Sequence, residues 1–373
     1  MGAQPAADRR RAADDGSGLK ATSVNALVNA GERFRRLIRA GGPITISQFM
    51  GEANALYYSS RDPLGAAGDF VTAPEISQMF GELLGLWLAD LWHRAGSPGN
   101  AAYVELGPGR GTLATDALRA MAGAGLRPRA HLVEGSPALR AVQQRAVPGA
   151  TFHDDLANLP DDRPLLILAN EFLDALPVRQ LVRTQGGWRE RMVGLDADGA
   201  FYFVAGDRPV DAAVPPERAE APDGTIIETC PAAAAVVEEV ARRLAAQGGA
   251  ALFVDYGHLA PRTGSTLQAV RAHRKVAVFD TPGEADLTAH VDFATLAALA
   301  QQAGARVAGM AEQGAFLAAL GLEHRATALA ARTPARGGEL QAAVARLAGA
   351  EQMGQLFKVM ALVAPGWPDA AGF

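Results

Sequence analysis

The feature that most constrains this chain is a glycine-rich turn within residues 101–121, AAYVELGPGRGTLATDALRAM. The apolar run at the start predicts a strand, and the periodic apolar residues from 113 onwards predict a helix. Between them, Gly107, Gly109 and Gly111 stand at alternate positions. Glycines let a ligand approach the main chain closely, and the N–H groups of the following helix point towards it. A strand, a glycine turn and a helix in this order therefore predict a ligand-binding site.

The spacing of the glycines indicates which cofactor binds there. A dinucleotide site usually has the pattern Gly-x-Gly-x-x-Gly, which would place a glycine where Thr112 stands. The pattern from Glu105 to Gly111 is Glu-x-Gly-x-Gly-x-Gly, which resembles the turn of class I S-adenosylmethionine (SAM) methyltransferases. That class has an acidic residue at the end of the second strand, and Glu134 ends an apolar run here. A carboxylate can accept hydrogen bonds from both ribose hydroxyls, so SAM is the predicted cofactor.

Composition excludes several functional classes. The chain has 373 residues, of which 49% are hydrophobic and 20% charged, which is typical of a globular protein with a large core. Its net charge of -5 argues against general nucleic-acid binding. Cys230 is the only cysteine, which fits a reducing compartment, and no apolar run reaches the roughly 18 residues of a membrane span. The tail and composition resemble those of bacterial proteins, so a bacterial cytoplasmic location is predicted.

The pattern along the chain predicts an α/β fold with a doubly wound, Rossmann-like sheet of the class I methyltransferase type. Strands and helices alternate in residues 100–177 and again in 231–373, which argues for a mostly parallel sheet covered on both faces. Residues 178–230 lose the helical period and predict a β-rich insertion. Residues 1–22 are expected to form a disordered tail, and residues 23–99 an N-terminal helical cap with a lid loop.

Two details of this prediction concern short segments. Residues 44–56 are predicted to form one amphipathic helix, with Ser47 as its N-cap. Residues 265–293 are predicted to form a polar loop without regular structure.

Methyl transfer from a sulfonium is an in-line displacement that needs the donor methyl and the acceptor atom close and aligned. Glu105 and the three glycines are predicted to line the amino-acid part of the cofactor, and Glu134 its ribose. Asp154 or Asp155 could contact the adenine amino group, and Asp154 is preferred because it comes sooner after the strand end.

Polar residues after the fourth strand are predicted to face the methyl acceptor. Asn170 and Glu171 hold these positions. If the acceptor is an arginine guanidinium, carboxylates would orient it bidentately. Glu171 is one such carboxylate, and Asp174, Asp69 or Glu75 could supply another. In the alternative interpretation, Glu171 interacts with a helix dipole, and Asp69 and Glu75 cap loops.

No metal site is predicted. The histidines and aspartates towards the C-terminus follow no common ligand spacing. They are His258, His273, His290, Asp255, Asp286 and Asp292.

Several long motifs, read together, resemble the MidA family of class I SAM-dependent methyltransferases, whose mitochondrial members are complex I assembly factors. The resemblance extends over roughly residues 43–365. Its motifs are GDFVTAPEISQMFGE (68–82), ELGPGRGTL (105–113), NEFLDALPV (170–178), DYG (255–257), ADLTAHVDF (285–293) and MGQLFKV (353–359).

The resemblance implies a protein arginine methyltransferase that makes symmetric dimethylarginine, on a respiratory complex I subunit in the mitochondrial case. It implies that the three glycines form the cofactor turn, that Glu134 holds the ribose, and that Asn170 and Glu171 are pocket residues. The loop at residues 68–70 would be a lid. Residues 152–155, FHDD, depart from the tryptophan and serine expected near the adenine, so the adenine contact is left open.

The predicted partner is a protein substrate with a target arginine. Two other functions stay open at this point: a small-molecule N- or O-methyltransferase, and a non-catalytic SAM-binding assembly or scaffold protein. The apolar β-rich segment could also pair two chains in a homodimer.

Overall fold

The computed structural model describes residues 30–60 and 71–373. The predicted tail and the predicted lid with Asp69 lie outside these described residues. Within them, no helix combines the length and the apolar composition needed to cross a bilayer.

The helices and strands follow one another along the whole described chain. The helices are α1 (Ala30–Gly41), α2 (Ile46–Ser60), α3 (Ala73–Ile76), α4 (Gln78–Arg94), α5 (Thr112–Gly123), α6 (Pro137–Ala146), α7 (Pro231–Gln247), α8 (Phe293–Gln302), α9 (Gln313–Ala319), α10 (Leu322–Arg332) and α11 (Gly337–Ala348). The strands are β1 (Ile44–Thr45), β2 (Ala102–Leu106), β3 (Arg129–Val133), β4 (Thr151–His153), β5 (Leu165–Asn170), β6 (Arg179–Thr184), β7 (Gly187–Leu195), β8 (Phe201–Pro209), β9 (Ile226–Thr229), β10 (Gly249–His258), β11 (Gln268–Arg271), β12 (Arg274–Val276), β13 (Asp286–Thr288), β14 (Val291–Asp292), β15 (Arg306–Glu312) and β16 (Phe357–Val363).

The central sheet has the strand order β15-β16-β10-β5-β2-β3-β4, and the short β14 pairs with the end of β10. The five strands from β10 to β4 are parallel, whereas β16 is antiparallel to both of its neighbours. The carboxyl ends of the parallel strands therefore meet at one edge, where ligands bind in open α/β sheets. The predicted fold class, an α/β doubly wound sheet of the class I methyltransferase type, is confirmed.

The sheet is doubly wound because its central strands are apolar on both faces. Strands β2, β5 and β10 are almost wholly buried. One face packs on α4, α5 and the C-terminal helices α9 to α11. The other face packs on α7 and α8. Alternate residues of one strand thus belong to two separate cores, which fixes the register of each strand strongly.

Helix α4 packs unusually close to α5, the helix that follows the glycine turn. A Cβ atom on Gly85 would lie 2.4 Å from the carbonyl oxygen of Ala117, and one on Gly81 would lie 2.7 Å from Cβ of Asp116. The two glycines are four residues apart, so they lie on one face of α4. They allow the two backbones to approach, which sets the position of α5 and its N-terminus.

Glu82 joins this helix pair to α10. It is 6% exposed, and its carboxylate pairs with Arg119 of α5 at 3.0 Å and with Arg325 of α10 at 2.8 Å. Burial raises the pKa of Glu82, but the hydrogen bonds from the two arginines outweigh it and the pKa is lowered.

We expect Glu82→Ala to lower the free energy of unfolding by about 2 kcal/mol, because a buried hydrogen-bonded charge is lost. Urea unfolding measures this change. The matched control is Asp90→Ala, which breaks the half-exposed pair between Asp90 and Arg94 on the same helix and should change stability by less than about 0.5 kcal/mol. Equal effects of the two substitutions would contradict the role given to Glu82.

Helices α1 and α2 pack against the β-rich segment. Residues of α1, α2, β1 and β7 form a third apolar cluster, together with residues of β11 and β13. Strands β6 to β9 form one antiparallel sheet together with β1.

The structure corrects two local predictions. Residues 44–45 do not begin a helix; they form β1, in which Ile44 pairs with Val193 of β7. Two β-branched residues suit an edge strand, and the helix begins only after them. Thr45, not Ser47, accepts the hydrogen bond of a cap, from the N–H of Gln48 at 3.0 Å. The predicted polar loop contains a sheet of order β12-β11-β13.

Candidate functional site

A cavity of about 410 Å³ lies at the carboxyl edge of the central sheet. The ends of β2, β3 and β5 form its floor, and α2 with the segment before α4 forms its roof. The predicted residues that line it are Glu75, Glu105, Gly107, Gly109, Glu134, Asn170 and Glu171. The structure thus brings together four chain segments that are distant in the sequence.

The glycine turn has the left-handed backbone that its composition predicts. The φ angles of Gly107, Gly109 and Gly111 are 62°, 53° and 83°. A Cβ atom on Gly107 would lie 2.7 Å from the ring of Phe172, so the turn after β2 directly contacts the turn after β5. Gly111 is the N-cap of α5 and faces Ala146 of α6, which places it behind the cavity wall. Gly107 and Gly109 form the wall itself.

Glu105 is a buried acid at the bottom of the cavity. It is 2% exposed, and its carboxylate accepts a hydrogen bond of 2.5 Å from the hydroxyl of Tyr103. Burial raises its pKa to about 8, against which this hydrogen bond acts only in part. Because burial disfavours the anion, a cation bound next to Glu105 would be held strongly.

Glu134 is fixed in place by two donors. Its Oε1 accepts from the N–H of Ser136 at 2.8 Å, and its Oε2 accepts from Nε2 of Gln143 at 3.1 Å. The same nitrogen of Gln143 donates to the carbonyl oxygen of Gly109 at 2.7 Å. Gln143, which the sequence analysis missed, therefore couples the glycine turn to the acid that is predicted to hold the ribose.

Asp154 does not lie among the residues that line the cavity. Its side chain is 81% exposed and pairs with Arg140 at 2.5 Å. The carboxylate follows the edge strand β4, where it is exposed to solvent and paired with a guanidinium. Asp155 instead caps the turn that follows it, by accepting from the N–H of Ala157 at 2.9 Å. The structure therefore does not support either aspartate as an adenine contact.

Glu171 stands at the inner end of the cavity in a strained conformation. Its φ angle is 51°, a left-handed value that non-glycine residues rarely adopt. Its Oε1 accepts from the backbone N–H of Ala73 at 3.3 Å and from the amide of Asn170 at 3.2 Å. Among the described residues, no cation forms an ion pair with it. Burial and the charge of Asp255 raise the pKa of Glu171 to about 8.

Asp255 holds the backbone that presents Glu171. One oxygen, Oδ2, accepts from the N–H groups of Phe172, Leu173 and Asp174 at 2.8–3.2 Å. Burial raises its pKa to about 7, against the lowering effect of these bonds. A carboxylate with several backbone donors ties the end of β10 to the turn after β5, so Asp255 is a positioning residue for the site.

Glu75 lies in the segment before α4 and connects that segment to the start of α5, next to the glycine turn. Its Oε1 accepts from the hydroxyl of Thr112 at 2.7 Å, at the start of α5. This contact agrees with the alternative interpretation, in which Glu75 caps a loop. A role of Glu75 in orienting the acceptor stays a prediction.

Asn54 of α2 is a second residue that the sequence analysis missed. Its amide nitrogen donates to the carbonyl oxygens of Ala175 at 3.1 Å and of Leu287 at 2.8 Å, and its Oδ1 accepts from the N–H of Leu287 at 3.0 Å. It therefore clamps the turn after β5 to β13. The sequence did contain a signal for this role, because Asn54 is a polar residue on the apolar face of its helix.

The cavity fits SAM in three respects. The buried acid Glu105 suits the cationic end of the cofactor, and Glu134 suits the ribose hydroxyls. Thr112 at the start of α5 lines the cavity, and a helix N-terminus suits a carboxylate. Among the described residues, no group of three or more metal-ligating side chains is placed to hold a metal ion.

Comparison with known proteins agrees with this geometry. Residues 83–311 match a family model described as an S-adenosyl-L-methionine-dependent methyltransferase. The chain is 36% identical to the mitochondrial protein arginine methyltransferase NDUFAF7 of Xenopus tropicalis, over 94% of this chain and 90% of that protein. It is 35% identical to the human protein of that name, over 87% of this chain and 81% of that protein.

Solved structures give the same result. A COG1565 superfamily protein from Burkholderia thailandensis, bound to S-adenosylhomocysteine, superimposes with a TM-score of 0.81 at 31% identity, over 96% of this chain and 97% of that one. A second structure from the same organism gives a TM-score of 0.77 at 32% identity, over 94% of each chain.

The comparisons overturn one prediction, that of a bacterial cytoplasmic protein. The curated relatives from frogs, humans and flies are mitochondrial proteins of eukaryotes, which points away from that location. Composition and tail residues were a weak guide because they vary freely without changing the fold.

The glycine turn, the acids at the strand ends, the sheet order and the extent of these matches lead to one conclusion. The chain belongs to the MidA family of SAM-dependent methyltransferases.

Proposed function

We propose that this methyltransferase methylates arginine on a protein substrate. The observation that carries the proposal is Glu171, a half-buried carboxylate that lines the cofactor cavity and has no ion-pair partner among the described residues. A buried acid is costly unless a cation or a proton neutralises it. A guanidinium would supply both positive charge and paired N–H donors.

The chemistry of methyl transfer assigns Glu171 two tasks. Bound SAM supplies an electrophilic methyl group on a sulfonium, and a nitrogen of the acceptor displaces the sulfur as the new C–N bond forms. A guanidinium nitrogen has its lone pair delocalised, so a carboxylate must orient the group and favour charge on the attacking nitrogen. The methylated nitrogen then releases a proton, which Glu171 can accept because its pKa of about 8 lies near physiological pH.

The names of the curated relatives support the arginine acceptor, since each is called a protein arginine methyltransferase. Symmetric dimethylation and a target like a respiratory complex I subunit are finer parts of the proposal. They depend on the family resemblance alone.

The proposal is tested with methyl-labelled SAM and proteins of a cell extract. We expect label on arginine of a discrete protein, and acid hydrolysis with mass spectrometry separates monomethyl, symmetric and asymmetric products. Label confined to small molecules would favour the alternative of a small-molecule methyltransferase. Binding of SAM without any transfer would favour the scaffold alternative.

The apparent KM for the acceptor should depend on pH. The carboxyl of Glu171 is neutral below its pKa of about 8 and anionic above it. A cationic guanidinium binds the anion, so the apparent KM should rise as pH falls below 8, approaching about tenfold per pH unit. Above pH 8 the KM should level off.

Initial rates measure this dependence between pH 6.5 and 9, at saturating SAM, with a peptide that carries the labelled arginine. The tyrosines and the histidine near Glu171 do not titrate in this range. Burial raises the pKa of Tyr58 and Tyr256 well above their usual value and lowers that of His290 to about 4. Asp255 has a pKa of about 7 and adds a change of the same sign. A KM that stays constant over this range would contradict the role of Glu171 as an anionic ligand.

A further inference from the structure

A second cavity of about 270 Å³ lies next to the cofactor cavity, on the far side of Glu171. Tyr58 and Glu171 line both cavities, so their side chains form the boundary between them. The outer wall of the second cavity is the small sheet of β11, β12 and β13, which contributes Val270 and Thr288. A molecule in this cavity would approach the cofactor past Glu171.

The inner wall of the second cavity is acidic and deeply buried. Asp174 and Asp286, each 5% exposed, line it together with Glu171. The hydroxyl of Tyr58 donates to Oδ1 of Asp286 at 2.9 Å. No cation of the described residues forms an ion pair with Asp174, and its pKa is raised well above the usual value, first by burial and then by the charges of Asp255 and Asp286.

Next to this boundary, Asn170 of the cofactor cavity carries an unfilled acceptor. Oδ1 of Asn170 is buried and has no hydrogen-bond partner, although the amide nitrogen of the same side chain donates to Glu171. Buried polar atoms are normally paired, and an orphan of this kind indicates a missing donor. The orphan acceptor lines the cofactor cavity, whereas Asp174 and Asp286 line the second cavity. A ligand rich in N–H groups that lies beside Glu171 would serve both.

The basic residues of this cavity lie at its outer side. Lys275 and His273 are exposed residues of the hairpin between β11 and β12. His290 is buried in part and is neutral near physiological pH, because burial and nearby cations lower its pKa to about 4. The cavity therefore has carboxyl groups at its inner end and basic residues on its outer side, where an acidic residue next to the target arginine would be favoured.

We infer that the second cavity receives the side chain of the acceptor arginine, with its guanidinium between Glu171 and Asp174. This inference rests on the proposed function and names the part of the site that recognises the substrate. Two carboxylates on different sides match the several N–H donors of one planar guanidinium, whereas a lysine ammonium lacks that planar fork. The aromatic side chains of Tyr58 and Tyr256 flank the group and exclude water.

A binding experiment without turnover tests this inference. The probe is N-ethylguanidinium, observed by saturation-transfer NMR with the protein saturated in S-adenosylhomocysteine. N-Ethylurea, which is neutral and of similar shape, is the control ligand. We expect transfer to ethylguanidinium, at least fivefold weaker transfer in Asp174→Asn, and little transfer to ethylurea. The affinity for S-adenosylhomocysteine should stay within about twofold of the wild type.

Asp161→Asn is the matched control, since Asp161 is exposed before β5, at the opposite edge of the sheet, and its substitution should change nothing. If Asp174→Asn does not fold, Val270→Arg is the second test of the inference. Its long cationic side chain would fill the cavity from β11 and remove the ethylguanidinium signal. Undiminished signal in a folded Asp174→Asn or in Val270→Arg, or equal signals from the two ligands, would overturn the inference.

Failure of this inference is distinguishable from failure of the proposed function. In one outcome, the cell-extract experiment labels arginine but the variants bind the probe as well as the wild type does. The proposed function would then stand, and the acceptor arginine would bind outside the second cavity. Probe binding with the expected losses, but label on no arginine, would retain a guanidinium site and reject protein arginine as the acceptor.

Discussion

Replacing Gly109 by valine should weaken the binding of SAM and S-adenosylhomocysteine at least about 100-fold, a loss of roughly 2.7 kcal/mol. Gly109 lines the cofactor cavity with a φ angle of 53°, and its carbonyl oxygen accepts from Gln143. A β-branched residue is strained in this left-handed region by about 1–3 kcal/mol, so the turn would relax away from its present path. The valine side chain would also enter space that the cofactor needs. Isothermal titration calorimetry measures both ligands directly.

The control for backbone strain is Gly125→Val. Gly125 follows α5 with a φ angle of 87°, and a Cβ atom there would meet nothing within 4 Å. This variant carries a comparable backbone strain away from the cavity, so it should lose stability but keep the affinity for S-adenosylhomocysteine. Full affinity in folded Gly109→Val would reject the assignment of the cofactor turn. Equal loss of affinity in both variants would show that strain, not occlusion, is the cause.

The parts of the site that the sequence predicts are those carried by a single local pattern. The glycine turn is predicted from its three glycines and from the strand and helix patterns on either side of them. Glu134 is predicted from its position at the end of the next apolar run. Parallel strands then place these ends at one edge without further information. For the same reason Asn170 and Glu171 could be assigned to the site from the fourth strand alone.

The parts that the sequence does not predict depend on contacts between distant segments. Asp255 reaches the turn after β5 only because β10 lies next to β5, an order that no local pattern specifies. Gln143 lies four residues after Leu139 on the buried face of α6, where a lone glutamine is as compatible with the core as with a site. The strands β11 to β13 are three or four residues long and partly polar, so they carry too little alternation to be told from a loop.

Asp154 shows the limit of reasoning from a strand end. Its position after β4 is equivalent to that of Glu134 after β3, yet Arg140 binds its carboxylate at the surface. Strand β4 lies at the edge of the sheet, where fewer neighbours restrict the chain and a nearby guanidinium competes for the acid. The acids after the inner strands β3 and β5 thus line the cavity, whereas the acid after the edge strand β4 does not.

Glu171→Gln should abolish methyl transfer while leaving the cofactor bound. Glutamine has the same shape and can keep one contact to Ala73 N–H, but it carries no charge and accepts no proton. Loss of a positioned general base lowers kcat by about 100- to 10,000-fold. The dissociation constant of S-adenosylhomocysteine should change by less than about threefold, since Glu105 and Glu134 remain. The variant should also be more stable than the wild type, because it relieves the burial of an acid next to Asp255.

The measurements are single-turnover transfer of labelled methyl groups, calorimetry with S-adenosylhomocysteine and urea unfolding. Glu217→Gln, at an exposed position of the β-rich segment, is the control and should match the wild type in all three. Full transfer activity in Glu171→Gln would remove Glu171 from the reaction and leave Asp174 or Glu75 as the candidate base. Loss of cofactor affinity together with activity would make Glu171 a structural part of the cofactor cavity. Lost transfer with retained binding and raised stability is the result expected of a functional carboxylate, which is kept although glutamine at this position would make the protein more stable.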